Sequence, residues 1–183
     1  MPKPDRPPRP ALFQRLLGDR FAALPEPIQA IHSVAGRLVL HGRCRVARGQ
    51  HPLARLLGAA MSLPPAGDHP AIEVIIEASG ECETWTRCIG ASRMRSRLCA
   101  AGTVLVESMG PAQFHFDLES DSGAIRWRLR RVLALGMPLP LRWFDVEATE
   151  SMQGAFYRFE VRAAMGGAPL VAYEGTLEAP TPP

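Results

Sequence analysis

The stretch ECETWTRCIG, residues 81–90, places Glu83, Trp85, Arg87 and Ile89 on one parity and Cys82, Thr84, Thr86 and Cys88 on the other. Successive side chains of an extended strand face opposite sides. If the Trp85 side turns inward, Arg87 enters an apolar interior, where a desolvated guanidinium must meet an anion. That anion is either a glutamate of the protein or the carboxylate of an amphipathic ligand, as in curved barrels that hold acidic lipids. The remaining alternative is that Arg87 is simply exposed. Arg87 and Trp85, with Tyr173 from the later strand LVAYEGTL, are the candidate ligand-binding residues.

Other chemistry is harder to find. The five histidines, His32, His41, His51, His69 and His115, are far apart in sequence, and no HExxH, GxSxG or glycine-rich phosphate loop with lysine is present. His41 and His115 fall on the wet parity of their strands. Glu147 and Glu150 lie on opposite faces of one strand, which reads them as solvated edge charges rather than an acid/base pair. No catalytic or metal-binding residue and no cofactor is assigned.

Arg93, Arg95 and Arg97 form one outward stripe and Arg126, Arg128 and Arg130 another. Two such stripes could track phosphates. The interleaved Ile125, Trp127 and Leu129 face away and offer no stacking platform on that surface. Pairing with Asp117, Glu119, Glu73 and Glu77 across strands uses the arginines more simply, so no nucleic-acid partner is expected. Of 21 basic residues one is lysine, and the net charge is only +3. The arginine bias fits either codon composition or carboxylate and phosphate recognition.

The elements that must position these residues divide into a helical front and a strand-rich body. Ala11–Leu17 reads as a short helix stopped by Gly18, Asp19 starts a turn through Leu24, and Pro27 opens a third helix carrying Ile28 and Ile31. GRLVLHGRCRV, residues 36–46, alternates as a strand. In HPLARLLGAAMSLPP, Leu53, Leu56, Leu57, Ala60 and Met61 follow the spacing of an amphipathic helix. Strands follow around Ile72–Ile76, Trp85–Ile89, Met94–Leu98, Val104–Val106, Phe114–Leu118, Ile125–Leu129, Val146–Glu150, Tyr157–Val161 and Val171–Leu177. The proline-stiffened MPLPLRW should pack over an opening of the sheet. Trp127 is assigned to the core, because a slip of one residue would bury three arginines.

About ten strands with hairpin-length links must be antiparallel, and so many twisted strands curl or close. The expected fold is mainly β (α+β): a strongly curved sheet or barrel with short N-terminal helices and one helix between the first two strands. At 183 residues the chain fits one domain, residues 10–179, with a disordered tail at 1–9 and a frayed end at 180–183. MPKPDRPPRP has no apolar run behind it and no later stretch spans a bilayer, so a cytoplasmic location is expected. Cys44, Cys82, Cys88 and Cys99 are then read as reduced, small core residues. Cys82 and Cys88, about 20 Å apart along one strand, cannot pair.

LGDRFAALPEPIQAIHS, GRCRVARG, the helix ending LPP, ETWTRCIG and LVAYEGTL together resemble the family called domain of unknown function 4166, from about residue 16 to 178. That family occurs alone or behind a saccharopine-dehydrogenase-like N-terminal region. This sequence has no GxGxxG after any expected strand, so no dinucleotide-binding half is expected within these residues. The resemblance implies one possible partner, a dehydrogenase-like oxidoreductase supplied in trans. The leading expectation is a non-enzymatic domain whose interior binds a small hydrophobic or amphipathic, acidic ligand. The alternative is an accessory domain that docks on the oxidoreductase.

Overall fold

In the computed structural model, residues 10–180 are described. The tail expected to be disordered at 1–9, and most of the frayed end, lie outside them. Two short helices, α1 (Leu12–Leu17) and α2 (Glu26–Ile31), are joined by a 3-10 turn over Gly18–Ala23. They are followed by β1 (Arg37–Arg48) and α3 (Pro52–Ala60). Five hairpin-linked strands come next: β2 (Gly67–Ser79), β3 (Cys82–Ile89), β4 (Ser92–Ala101), β5 (Val104–Met109) and β6 (Ala112–Asp121). After them come β7 (Ala124–Ala134), β8 (Met137–Leu139), β9 (Phe144–Gln153), β10 (Phe156–Met165) and β11 (Ala168–Glu178).

Every pairing is antiparallel, and β6 pairs with β7 while β1 pairs with β11. Ten strands therefore close on themselves, and β8 is an extra strand laid along the end of β7. Closure removes the free edges that so long an open sheet would expose. Period-two burial follows: in β7, Ile125 and Trp127 are buried while Arg126 and Arg128 are exposed. Where β6 and β7 lose one residue of register near Arg130, the phase shifts and Val132 returns to the interior. β1 has a similar shift between Gly42 and Cys44. There Gly42 faces Thr176 and Leu177, and Gly175 faces Arg43 and Cys44, so closely that a Cβ at either site would collide with backbone. Glycine is required at both for β1 and β11 to approach as the barrel bends.

The N-terminal helices plug one end. Phe13 is fully buried, with its ring centroid 6.2 Å from Trp85 and 5.9 Å from Trp127. Ile28 and Ile31 join it in the core. Fully burying each of these side chains contributes on the order of 1.5–3 kcal/mol. Arg15 ties the plug to the β2–β3 turn by donating to the Glu81 carbonyl at 2.8 Å.

α3 lies at the other end, anchored where Arg48 donates to the carbonyls of Leu63 and Pro64 at 3.1 and 3.0 Å. Its inward side differs in part from the expected stripe. Ala54, Leu57, Ala60 and Met61 line the interior, whereas Leu56 is 67% exposed; the Leu53 side chain lies outside the described set. The helix caps a barrel mouth rather than lying on a flat sheet, so a narrower face suffices. MPLPLRW also differs from expectation. Leu139 reaches the interior, but Leu135 of the β7–β8 turn, Met137 at the start of β8, and Leu141 and Trp143 beyond it stay exposed.

The cysteines need a larger correction. Cys82 and Cys99 form a disulfide between β3 and β4, with Cα atoms 4.4 Å apart. The hairpin register puts Cys82 directly opposite Cys99, just as Ile89 lies opposite Ser92 beside the turn. Cys44 and Cys88 are free thiols, and burial pushes the Cys44 thiol up to about 11.

Candidate functional site

The barrel is not packed solid. Between the plug and α3 lies a cavity of about 270 Å³ with mostly aliphatic and aromatic walls. The strand parity inferred from the sequence delivers Trp85 and Arg87 from β3 and Tyr173 from β11 into this space. All three candidate residues thus line one cavity.

Arg87 is the hub of its polar wall. Its guanidinium sits 5.1 Å from the Trp85 ring centroid, and Nη1 donates to Ser96 Oγ at 2.9 Å. Nη2 is 3.6 Å from Glu107 Oε1, with the two side chains 11% and 10% exposed. Of the fates open to Arg87, exposure is overturned, and a protein glutamate stands beside it. At 3.6 Å the pair attracts without a hydrogen bond. Glu107 Oε1 is buried and has no hydrogen-bond partner among the described residues, and the same holds for Trp127 Nε1. Both residues line the cavity.

Tyr173 and Tyr157 complete this wall. Burial pushes the Tyr173 phenol up to about 12, with Arg87 opposing and Glu107 adding to the shift. Burial also holds Tyr157 well above the usual phenol range, reinforced by the charge of Glu150 and a hydrogen bond to it. Both phenols therefore keep their protons and act as neutral hydrogen-bond donors.

Glu150 corrects another expectation. Glu147 is exposed, but Glu150 is 4% exposed and lines the cavity floor. β9 is a barrel strand rather than an edge, so its inward parity points into the core. Oε2 of Glu150 accepts from Nε2 of His32, 2.6 Å away. His32 is fully buried at the end of α2; its ring lies tilted against Phe13, centroids 3.8 Å apart, and stacks on Trp85 at 5.8 Å. This bond joins the plug to the wall. Glu83, also buried, accepts from Trp85 Nε1 at 2.8 Å and so fixes the indole. Burial raises the Glu83 carboxyl, while the Trp85 bond and nearby His32 oppose that rise.

Glu107, Glu150 and His32 were missed, although each leaves a trace. Glu107 shares the parity of Leu105 and Met109; Glu150 shares that of Val146 and Ala148; His32 follows Ile28 by one helical turn. An acidic or basic residue on an otherwise apolar parity is the signal.

Outside the barrel, two arginines of the β7 stripe pair across to β6 as inferred. Arg128 pairs with Glu119 at 2.8 Å and Arg130 with Asp117 at 3.1 Å, all well exposed. His115 is only half-buried on this outer face, and burial and the Arg131 charge lower its imidazole. Among the described residues, no helix is long and apolar enough to cross a membrane.

Fold and interior together define a closed ten-stranded antiparallel barrel, plugged at one end by helices, around an apolar cavity with one polar wall. The chain belongs to the family described as domain of unknown function (DUF4166), whose profile matches residues 24–177. A solved structure similar to it is that of Rv2717c from M. tuberculosis, with a TM-score of 0.46 and 12% identity, covering 86% of this chain and 99% of that one. No curated protein matches the chain.

Proposed function

We propose that the barrel binds one small hydrophobic or amphipathic molecule in its interior, with Arg87, Trp85 and Tyr173 at the ligand's polar end. The observation that carries this reading is the cavity of about 270 Å³. Protein interiors otherwise leave few voids larger than a water molecule. An apolar cavity of about 150 Å³ already suffices to bind benzene. Aliphatic walls with a few convergent polar groups are the usual make-up of a small-molecule site. The activity is retention of the ligand rather than its conversion: Arg87 and the Tyr173 hydroxyl orient a head group, and the aliphatic wall removes the tail from water. A carboxylate head is one option for an arginine anchor, but it would compete with Glu107 for Arg87.

Native mass spectrometry of the purified protein tests the reading. A retained lipid-like mass that leaves on mild activation is expected. A clean apo mass that no added amphiphile shifts would overturn it.

The second reading is docking on a saccharopine-dehydrogenase-like oxidoreductase. It draws on the exposed Leu135, Met137, Leu141 and Trp143, which lie close together in the chain at the α3 end. An apo mass together with a stoichiometric complex with such an enzyme would favour it.

A further inference from the structure

The two unsatisfied atoms on the cavity wall constrain what the ligand's head must be. Glu107 is 8% exposed and Trp127 4% exposed, yet among the described residues Glu107 Oε1 lacks a donor and Trp127 Nε1 lacks an acceptor. Leaving such buried polar groups unpaired costs more than a made hydrogen bond returns, so a complementary ligand group gains by satisfying them. The two are joined through a contiguous patch. Arg87 touches Glu107 on one side and covers Trp85 on the other, and the Trp85 ring centroid is 6.4 Å from that of Trp127.

The charges on the wall matter as much. Among the described lining residues Arg87 is the single basic side chain, against Glu107, Glu150 and Glu160. Glu160 is already held by Arg158. A carboxylate ligand would bring another carboxyl group to a wall with one guanidinium and would leave the Glu107 acceptor unmet. An ether or ester could accept from Trp127 but could give Glu107 nothing. A hydroxyl can give its hydrogen to Glu107 Oε1 while its oxygen accepts one from the Arg87 guanidinium that stands beside Glu107.

Building on the proposed ligand-binding function, we infer that the interior selects an uncharged hydroxyl-bearing apolar molecule, such as a medium-chain or terpenoid alcohol, over the corresponding acid. Glu107 reads the hydroxyl hydrogen, and Arg87 keeps Glu107 in place.

Three probes of one chain length test this by isothermal titration at pH 8: 1-decanol, decanoate and decyl methyl ether. Decanol should bind about tenfold or more tightly than either of the others, the scale of one hydrogen bond to a charged group. Decanoate binding as tightly as decanol, or the ether matching the alcohol, would overturn the hydroxyl inference and leave the cavity's role standing. Failure of all three to bind would overturn the ligand-binding reading itself, and this inference with it. In Glu107→Gln, checked for wild-type circular dichroism, decanoate should gain several-fold and the alcohol's advantage should shrink. An unchanged ranking in that folded variant would also overturn the assignment of Glu107.

Discussion

Replacing Arg87 by methionine removes the guanidinium while keeping most of its length and apolar bulk. In this barrel the change strands Glu107, whose side chain is only 10% exposed and whose Oε1 has no other partner among the described residues. It also removes the donor to Ser96 and the cation over Trp85. Breaking a buried pair from one side typically costs about 3–5 kcal/mol, because the remaining charge has lost both water and partner. For a chain of this size each kcal/mol lowers Tm by about 2–4 °C, so a fall of roughly 6–20 °C is expected. The double variant Arg87→Met/Glu107→Leu removes both partners and should recover most of that loss, since apolar replacement of a whole buried pair is often neutral or stabilising. Urea unfolding of the wild type, the two single variants and the double variant gives the coupling directly. If Arg87→Met melts like the wild type, or if the two substitutions are simply additive, Arg87 and Glu107 do not form the unit described.

Three further outcomes follow from the same interior. Trp127→Ala should lose about 3–5 kcal/mol, the usual range for deleting a buried aromatic; unchanged stability would contradict its packing against Phe13, Trp85 and Phe116. Burial raises the Glu83 carboxyl, so the folded state holds that proton to a higher pH than the unfolded chain does. Stability therefore falls as pH rises from the ordinary carboxylate value, ~4.3, through the raised one. Glu83→Gln keeps an acceptor for Trp85 and should flatten that part of the stability-versus-pH curve, whereas an unaltered slope would show that Glu83 is not its source. Reducing Cys82–Cys99 opens a loop with a sequence separation of 17 and should cost about 3 kcal/mol in denaturant titrations. Equal midpoints with and without reductant would show that the crosslink does not constrain the unfolded chain.

Much of this architecture was legible because period-two alternation is a local property. The Arg126–Arg130 stripe against Ile125, Trp127 and Leu129 fixed both the strand and its inward face. Short Gly-containing turns then made the neighbours antiparallel. Closure itself was only one of two expected outcomes, since the β6–β7 and β1–β11 pairings that settle it are not both local: β1 and β11 lie at opposite ends of the chain. The same limit explains Glu150. Its parity was read correctly, but an inward side chain counts as buried only once β9 has neighbours on both sides. The Cys82–Cys99 pair was within reach, because both lie seven positions from the Ile89–Ser92 pair that flanks the turn. Testing Cys82 against Cys88 along one strand, rather than across the hairpin, hid it. Of the cavity, the sequence supplied Trp85, Arg87 and Tyr173; the encounter of Arg87 with Glu107 depends on register across two strand pairs, β3–β4 and β4–β5.

The central claim is that a ligand occupies the barrel interior, and quenching of the buried tryptophans tests it most directly. The chain has three tryptophans, and Trp143 is 48% exposed, so Trp143→Phe leaves Trp85 and Trp127 on the cavity wall as the reporters. Titrating this variant with 10-bromodecan-1-ol should quench its fluorescence saturably at one ligand per chain. Adding Ala148→Leu, which fills part of the cavity floor, should abolish that saturation while the protein stays folded. Quenching that rises linearly without saturating, or saturable quenching that survives the filled cavity, would contradict ligand binding inside the barrel.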